Sequence, residues 1–186
     1  MTSQRLILAV PILAVAIVGG LLYANYVGSL QDQPAQSFRT FLLIDVQQDL
    51  NHTRRAYPNE TIGQPGGIMN TTKYLADGLS GRYPLFTQDS TGVVYVQSRV
   101  MRAYTLGDFF QVWGEPLGPN DTLNIPWAIR YYTCGASGTD PCAPFYWTMC
   151  IHNPTGGLDF PLDDWGAHSL KNDEIIRLSY SQIGCG

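Results

Sequence analysis

Three histidines (His52, His152, His168), four cysteines and an acidic cluster (Asp159, Asp163, Asp164) are the side chains of this 186-residue sequence best suited to chemistry. Met149, Cys150 and His152 offer the three ligand types of a copper centre. A blue-copper loop places its cysteine ahead of both a histidine and a methionine, and nothing suitable follows His152. The acidic residues lie in Asp159-Phe-Pro-Leu-Asp-Asp-Trp-Gly166. A calcium loop alternates oxygen ligands around a glycine, and this run supplies only part of that pattern. It reads as a solvated loop, and His52, inside Asn51-His-Thr53, reads as a solvated side chain. No Gly-x-Ser-x-Gly, phosphate-binding loop or His-Glu-x-x-His occurs in the sequence. The expectation is a protein without catalytic residues, cofactor or metal.

The cysteines point elsewhere. Cys134, Cys142, Cys150 and Cys185 all lie in the last third and form no Cys-x-x-Cys pair, which argues against a zinc cluster. An even count in an exported chain reads as two disulfides. Of the three pairings, Cys134–Cys142 closes the turn-rich GASGTDP loop and leaves Cys150 to join Cys185. Asn51, Asn59, Asn70 and Asn120 each open an Asn-x-Thr sequon, four among eight asparagines. Chance predicts about one, so the excess reads as an exported, N-glycosylated surface.

Export requires a segment to direct it. Leu6 to Val27 contains eighteen apolar residues of 22 and no charge. As a helix it would be about 33 Å long, enough for the roughly 30 Å hydrocarbon core. A cleaved signal peptide is the alternative, but its apolar region is usually about 7–15 residues and no small-x-small site follows this run. Pro11 is tolerated in such a helix. Tyr23 and Tyr26 suit an outer interface, and Arg5 before the span places residues 1–5 in the cytoplasm. Only 14% of the residues are charged and the formal charge is −4. That balance excludes a nucleic-acid partner, which needs a basic face.

Residues 28–37, with Pro34, read as a linker to a domain over 38–186. Phe38–Val46, Gly92–Ser98, Trp127–Thr133, Phe145–His152 and Glu174–Tyr180 are strand-like. Asn172-Asp173 marks a turn before the last of them. Residues 47–61 show no periodicity and Ile68–Leu79 is too broken to assign. One helix is legible between Thr105 and Gly114. Thr105 and Asp108 suit a capping box, Leu106, Phe109, Phe110 and Trp113 share one face, and Gly114 supplies the stop. So short a helix must bury its stripe against a sheet. The class is therefore α+β, an N-terminal transmembrane helix followed by a small β-rich domain. Tyr131-Tyr132, Phe145-Tyr-Trp147 and Trp165 supply core and an apolar patch for a protein partner.

The stretch Pro84-Leu-Phe-Thr-Gln-Asp-Ser-Thr-Gly-Val-Val-Tyr-Val-Gln-Ser98, then Tyr104-Thr-Leu-Gly-Asp-Phe-Phe-Gln-Val-Trp-Gly114, resembles an uncharacterised family of exported or membrane-anchored prokaryotic proteins. Its pattern is L-H-T-H-D-x-x-G-I-I-H-V-E-S, then T-L-G-x-F-F-x-x-W-G. The ending Leu170 to Ile175 is similar to that family's and to the last strand of β-grasp domains. The resemblance covers about half the domain and implies export and a β-grasp-like fold. The family's histidine pairs are replaced here by Phe86 and Gln88 and are absent from Phe38–Val46, so only Asp89 of those metal-ligand positions remains.

These observations imply a single-pass membrane protein with residues 1–5 inside, 6–27 spanning, 28–37 as linker and 38–186 outside the cytoplasm. Its expected role is a non-enzymatic accessory subunit or interaction module of a membrane or envelope complex. The alternative is a small-ligand or metal-binding module like the family it resembles.

Overall fold

The computed structural model describes residues 15–28, 33–47, 53–56, 58, 61–126, 145–155, 158–181 and 184. They fall into two compact units, Met1–Gln33 and Pro34–Gly186.

The described part of the first unit is helix α1, residues 15–28. Fourteen residues rise about 21 Å, short of the roughly 30 Å of a hydrocarbon core. Among the described residues no helix is long and apolar enough to cross a membrane, and 6–14 of the expected span lie outside them.

The second unit is α+β, built on a mixed seven-stranded sheet. Its strands are β1 (Gln36–Gln47), β2 (Thr53–Ala56), β3 (Leu85–Phe86), β4 (Val93–Ser98), β7 (Tyr146–Ile151), β8 (Phe160–Leu162) and β9 (Ile175–Ser181). The order is β3-β4-β1-β9-β7-β8, with β2 also on β1. The twelve-residue β1 organises it. Its first half pairs antiparallel with β4, from Gln36↔Ser98 to Phe41↔Val93, and its end pairs with β2. Along its other side runs β9 in parallel, from Phe41↔Ile175 to Val46↔Tyr180. A separate hairpin joins β5 (Asp121–Thr122) to β6 (Ile125–Pro126). Leu123 and Asn124 at its tip both have φ of 56°, as a two-residue turn that follows the strand twist requires.

Strand alternation sends Leu42, Ile44, Val94, Val96, Trp147, Met149, Ile176 and Leu178 into the core. Helix α2 (Leu106–Trp113) covers that face with Leu106, Phe109, Phe110 and Val112, all buried. The α2 ends form as their residues dictate. Thr105 accepts from the Asp108 amide while Asp108 accepts from the Thr105 amide, and Gly114 stops the helix at φ 85°.

The strands expected around 38–46, 92–98, 145–152 and 174–180 are present as β1, β4, β7 and β9. β1 starts two residues earlier than expected, at Gln36, so Gln36 and Ser37 belong to the sheet rather than to a linker. The aperiodic 47–61 stretch contains β2, which exists because the end of β1 extends past β4 and needs another partner. β8 occupies part of the expected acidic loop. The strand expected over Trp127–Thr133 lies outside the described residues.

Candidate functional site

Two polar assemblies bind the first turn of α2 to the rest of the domain. At its start, the Leu106 amide donates to the His168 carbonyl at 2.8 Å and the Leu170 amide to that of Tyr104 at 2.9 Å. Gly107 faces Gly166 so closely that a Cβ on Gly107 would stand 2.5 Å from the Gly166 oxygen. His168, 5% exposed, lies with Nδ1 3.0 Å from Asp164 and Nε2 3.0 Å from Glu174. The ring thus stands within hydrogen-bond distance of both carboxylates. It thereby fastens the 3-10 turn Trp165–Ala167 to the entry of β9.

The second assembly is aromatic. Tyr74 donates to Asp108, and its ring meets Tyr104 edge-on at 6.2 Å. The Tyr104 hydroxyl lies 3.1 Å from Asp77 and 2.8 Å from Ser98. Burial pushes the Tyr104 phenol up to about 12, the nearby Asp77 carboxylate adds to the rise, and the Ser98 hydrogen bond opposes it. Lys73 lies over the Tyr74 ring, while Arg102 lies over both rings and is 3.2 Å from Asp77. Each phenol, carboxylate and cation here already has a partner within the protein.

The sheet's opposite face carries a chain of charges. Arg55 and Arg177 both bond Asp45, at 2.8 and 2.9 Å, and Arg177 also bonds Asp159 at 3.2 Å. Asp159 accepts in addition from the Asn153 amide and lies 2.8 Å from His152 Nδ1. Burial raises the Asp45 carboxyl, but hydrogen bonds and charge from Arg55 and Arg177 outweigh it and hold the group below its usual 3.8. Burial likewise raises Asp159, and the Asn153 amide, Arg177 and His152 more than offset it.

This corrects the expected solvated loop. The Asp159 side chain is 5% exposed and central to the chain of charges, and Asp164 holds His168, whereas Asp163 is exposed. Met149 belongs to the core, while Cys150 is buried and disulfide-bonded, so the copper ligand types are otherwise employed. Asp89 is exposed and accepts from the Thr91 amide and hydroxyl, a local turn. Among the described residues no group of three His, Cys, Asp or Glu side chains could hold a metal ion.

Cys134, Cys142 and Cys185, and the sequon residues Asn51 and Asn59, lie outside the described residues, as does His52. Asn120 is exposed in the loop before β5. Asn70 is exposed too, but its Nδ2 donates to the Trp113 carbonyl at 2.6 Å, capping the end of α2. The sequence offered His168 as a candidate without a role and did not single out the tyrosine assembly. The phenols meet their partners through tertiary folding alone, and the only local signal for His168 was Asp164 four residues before it.

Comparisons of the chain with family models, with curated proteins and with solved structures found no match.

Proposed function

We propose that this chain is a membrane-anchored, extracytoplasmic protein that serves without catalysis as an accessory subunit or interaction module of a membrane or envelope complex. The observation that carries the reading is the surface of α1. Val15, Ile17, Val18, Leu21, Leu22 and Tyr23 are each more than half exposed. A helix apolar all round needs a lipid or protein environment. The apolar run that begins at Leu6 would extend it to a full span. With Arg5 on the cytoplasmic side a single pass leaves the domain outside, where the four sequons and the cysteines fit.

The sheet supports a β-grasp-like arrangement. Its two central strands, β1 and β9, are parallel and each carries an antiparallel neighbour, β4 and β7, while α2 covers one face. A Cys150–Cys185 disulfide is supported by Gly184, where an added Cβ would stand 3.3 Å from the Thr148 side chain, on the face of β7 that also carries Cys150. Leu158, just before the edge strand β8, and Phe160, its first residue, are 82% and 63% exposed and are side chains for a protein partner to cover.

Co-purification of the full chain from its own membranes in mild detergent tests the reading. A stoichiometric partner protein is expected. A chain recovered from the soluble fraction, or a strictly monomeric one with no partner, would count against it.

A further inference from the structure

Ser37 and Arg39 of β1, Tyr95 and Gln97 of β4, and Asn172 and Asp173 of the turn before β9 line an open groove of about 310 Å³. The register places Ser37 opposite Gln97 and Arg39 opposite Tyr95, so the four side chains form alternate rungs on the sheet face away from α2. The turn is pinned to them. The Asp173 amide donates to the Arg39 carbonyl at 2.8 Å, and Arg39 Nε donates to Asp173 Oδ1 at 3.1 Å. Asp173 holds φ 56°, a conformation few residues besides glycine, Asn and Asp adopt readily. Tyr95 is fixed by stacking on Phe86, ring centroids 5.4 Å apart.

What the groove offers decides its ligand. Arg39 and Asp173, both more than half exposed, neutralise each other, so no net charge draws an ion. Guanidinium, carboxylate and two primary amides line it, planar groups that donate or accept in pairs. Asn172 donates one N–H to Asp173 at 2.9 Å and accepts from the Arg39 amide at 3.5 Å, and its second N–H is what it offers a ligand. Only a 3.5 Å contact joins Gln97 to Ser37, which leaves both able to bond a ligand. Phe38 also lines the groove, and the Tyr95 ring supplies an apolar wall on the same sheet face as Arg39 and Gln97. Adjacent hydroxyl groups, each donor and acceptor, match paired planar partners, and the C–H face of a pyranose matches a ring. The volume is at the small end for ligand sites.

We propose that this groove binds a neutral saccharide of one or two rings. The assignment stands on the domain alone and holds whether or not α1 anchors the chain.

Titration of the full chain, in micelles of a detergent that contains no sugar, with N-acetylglucosamine, galactose and mannose tests it. The side-chain amide resonances of Gln97 and Asn172 are expected to shift saturably with at least one of them, with a Kd on the order of millimolar. Gln97→Ala and Asn172→Ala, at surface positions, are each expected to weaken binding about tenfold while the melting temperature holds. Asp173→Asn keeps a residue that tolerates the turn and leaves Arg39 unneutralised, so preference is expected to move to glucuronate. Silence of both amides to all three sugars at about 50 mM overturns the proposal, as does tighter binding of glucuronate or phosphocholine by the unaltered groove. An unchanged affinity in Asn172→Ala overturns it too.

Discussion

The side-chain amide of Asn70 donates to the main-chain oxygen of Trp113 at 2.6 Å, so a sequon asparagine closes the end of the helix that covers the core. The fit is tight, since a Cβ on Gly114 would stand 2.0 Å from Nδ2. Asn70→Ala is expected to cost about 1 kcal/mol, near 2–4 °C in melting temperature for a domain of this size. Asn120→Ala, at an exposed loop position, is expected to change it little. Thermal melts of the two variants make the comparison, and equal effects would remove the capping role.

Gly107 opposes two effects of known size. Alanine in a helix is worth about 1 kcal/mol over glycine, but here its Cβ would meet Gly166 backbone at 2.5 and 2.9 Å. Backbone cannot step aside as a flexible side chain can, and overpacking of this kind costs about 1–3 kcal/mol. Gly107→Ala is therefore expected to destabilise, read as a lower denaturant midpoint at unchanged slope. A stabilised variant would show that the 3-10 turn yields freely.

His168→Ala leaves two carboxylates facing each other without their bridge, one of them Glu174 with a side chain 9% exposed. A loss of about 2–3 kcal/mol is expected. Hydrogen exchange at Leu106 and Leu170, whose amides bond across this junction, should rise more than exchange in β4. Uniform acceleration throughout the domain would contradict a local clamp.

Asp45 and Asp159 set the acid limit. Their folded carboxyls titrate below the ordinary 3.8, so the stability they contribute is complete above that pH and is lost as pH falls through their folded values. The unfolding free energy should decline below about pH 4, and less steeply in Asp45→Asn. At pH 7 Asp45→Ala should cost roughly 2 kcal/mol, less than a fully buried pair, because Arg55 is half exposed. A pH profile that is identical in Asp45→Asn would refute the assignment.

Tyr104 sets the alkaline limit. Its phenol ionises near 12 in the folded protein against 10 for a free one, so its contribution is intact below 10 and disappears as pH rises through 12. Burial and its bond to Asp108 raise the Tyr74 phenol as well, so phenolate absorbance followed against pH should show late ionisation that Tyr104→Phe reduces by one tyrosine. The same variant leaves Ser98 and Asp77 short of a partner and should lower stability by about 1 kcal/mol at neutral pH.

Helix α2 was legible to its last residue because everything that defines it lies within ten positions, from Thr105 to Gly114. β1, β4, β7 and β9 were legible for a similar reason, each being a run of β-branched and aromatic residues. β8 was not, because its Phe160-Pro-Leu162 has no alternation and is a strand only by pairing with β7. The charged chain was equally hidden. Asp159 meets Arg177 across 18 residues and Arg177 meets Asp45 across 132, separations at which no local pattern exists. The groove beside Tyr95 combines three such distant segments, so its seven residues look unrelated along the sequence.

The central pairing of β1 with β9 also governs the order in which this domain can be made. Thr40 and the carbonyl it bonds, that of Glu174, are 134 positions apart. A chain emerging from its N-terminal side presents β1 early, with β4 soon available on one flank, while its other flank stays open until β9 has been synthesised. β7 cannot dock before then, since β9 is the strand that joins it to the rest. Non-local pairing of this kind slows folding and leaves strand edges exposed in the meantime. The open flank of β1 is thus covered only once β9 has followed.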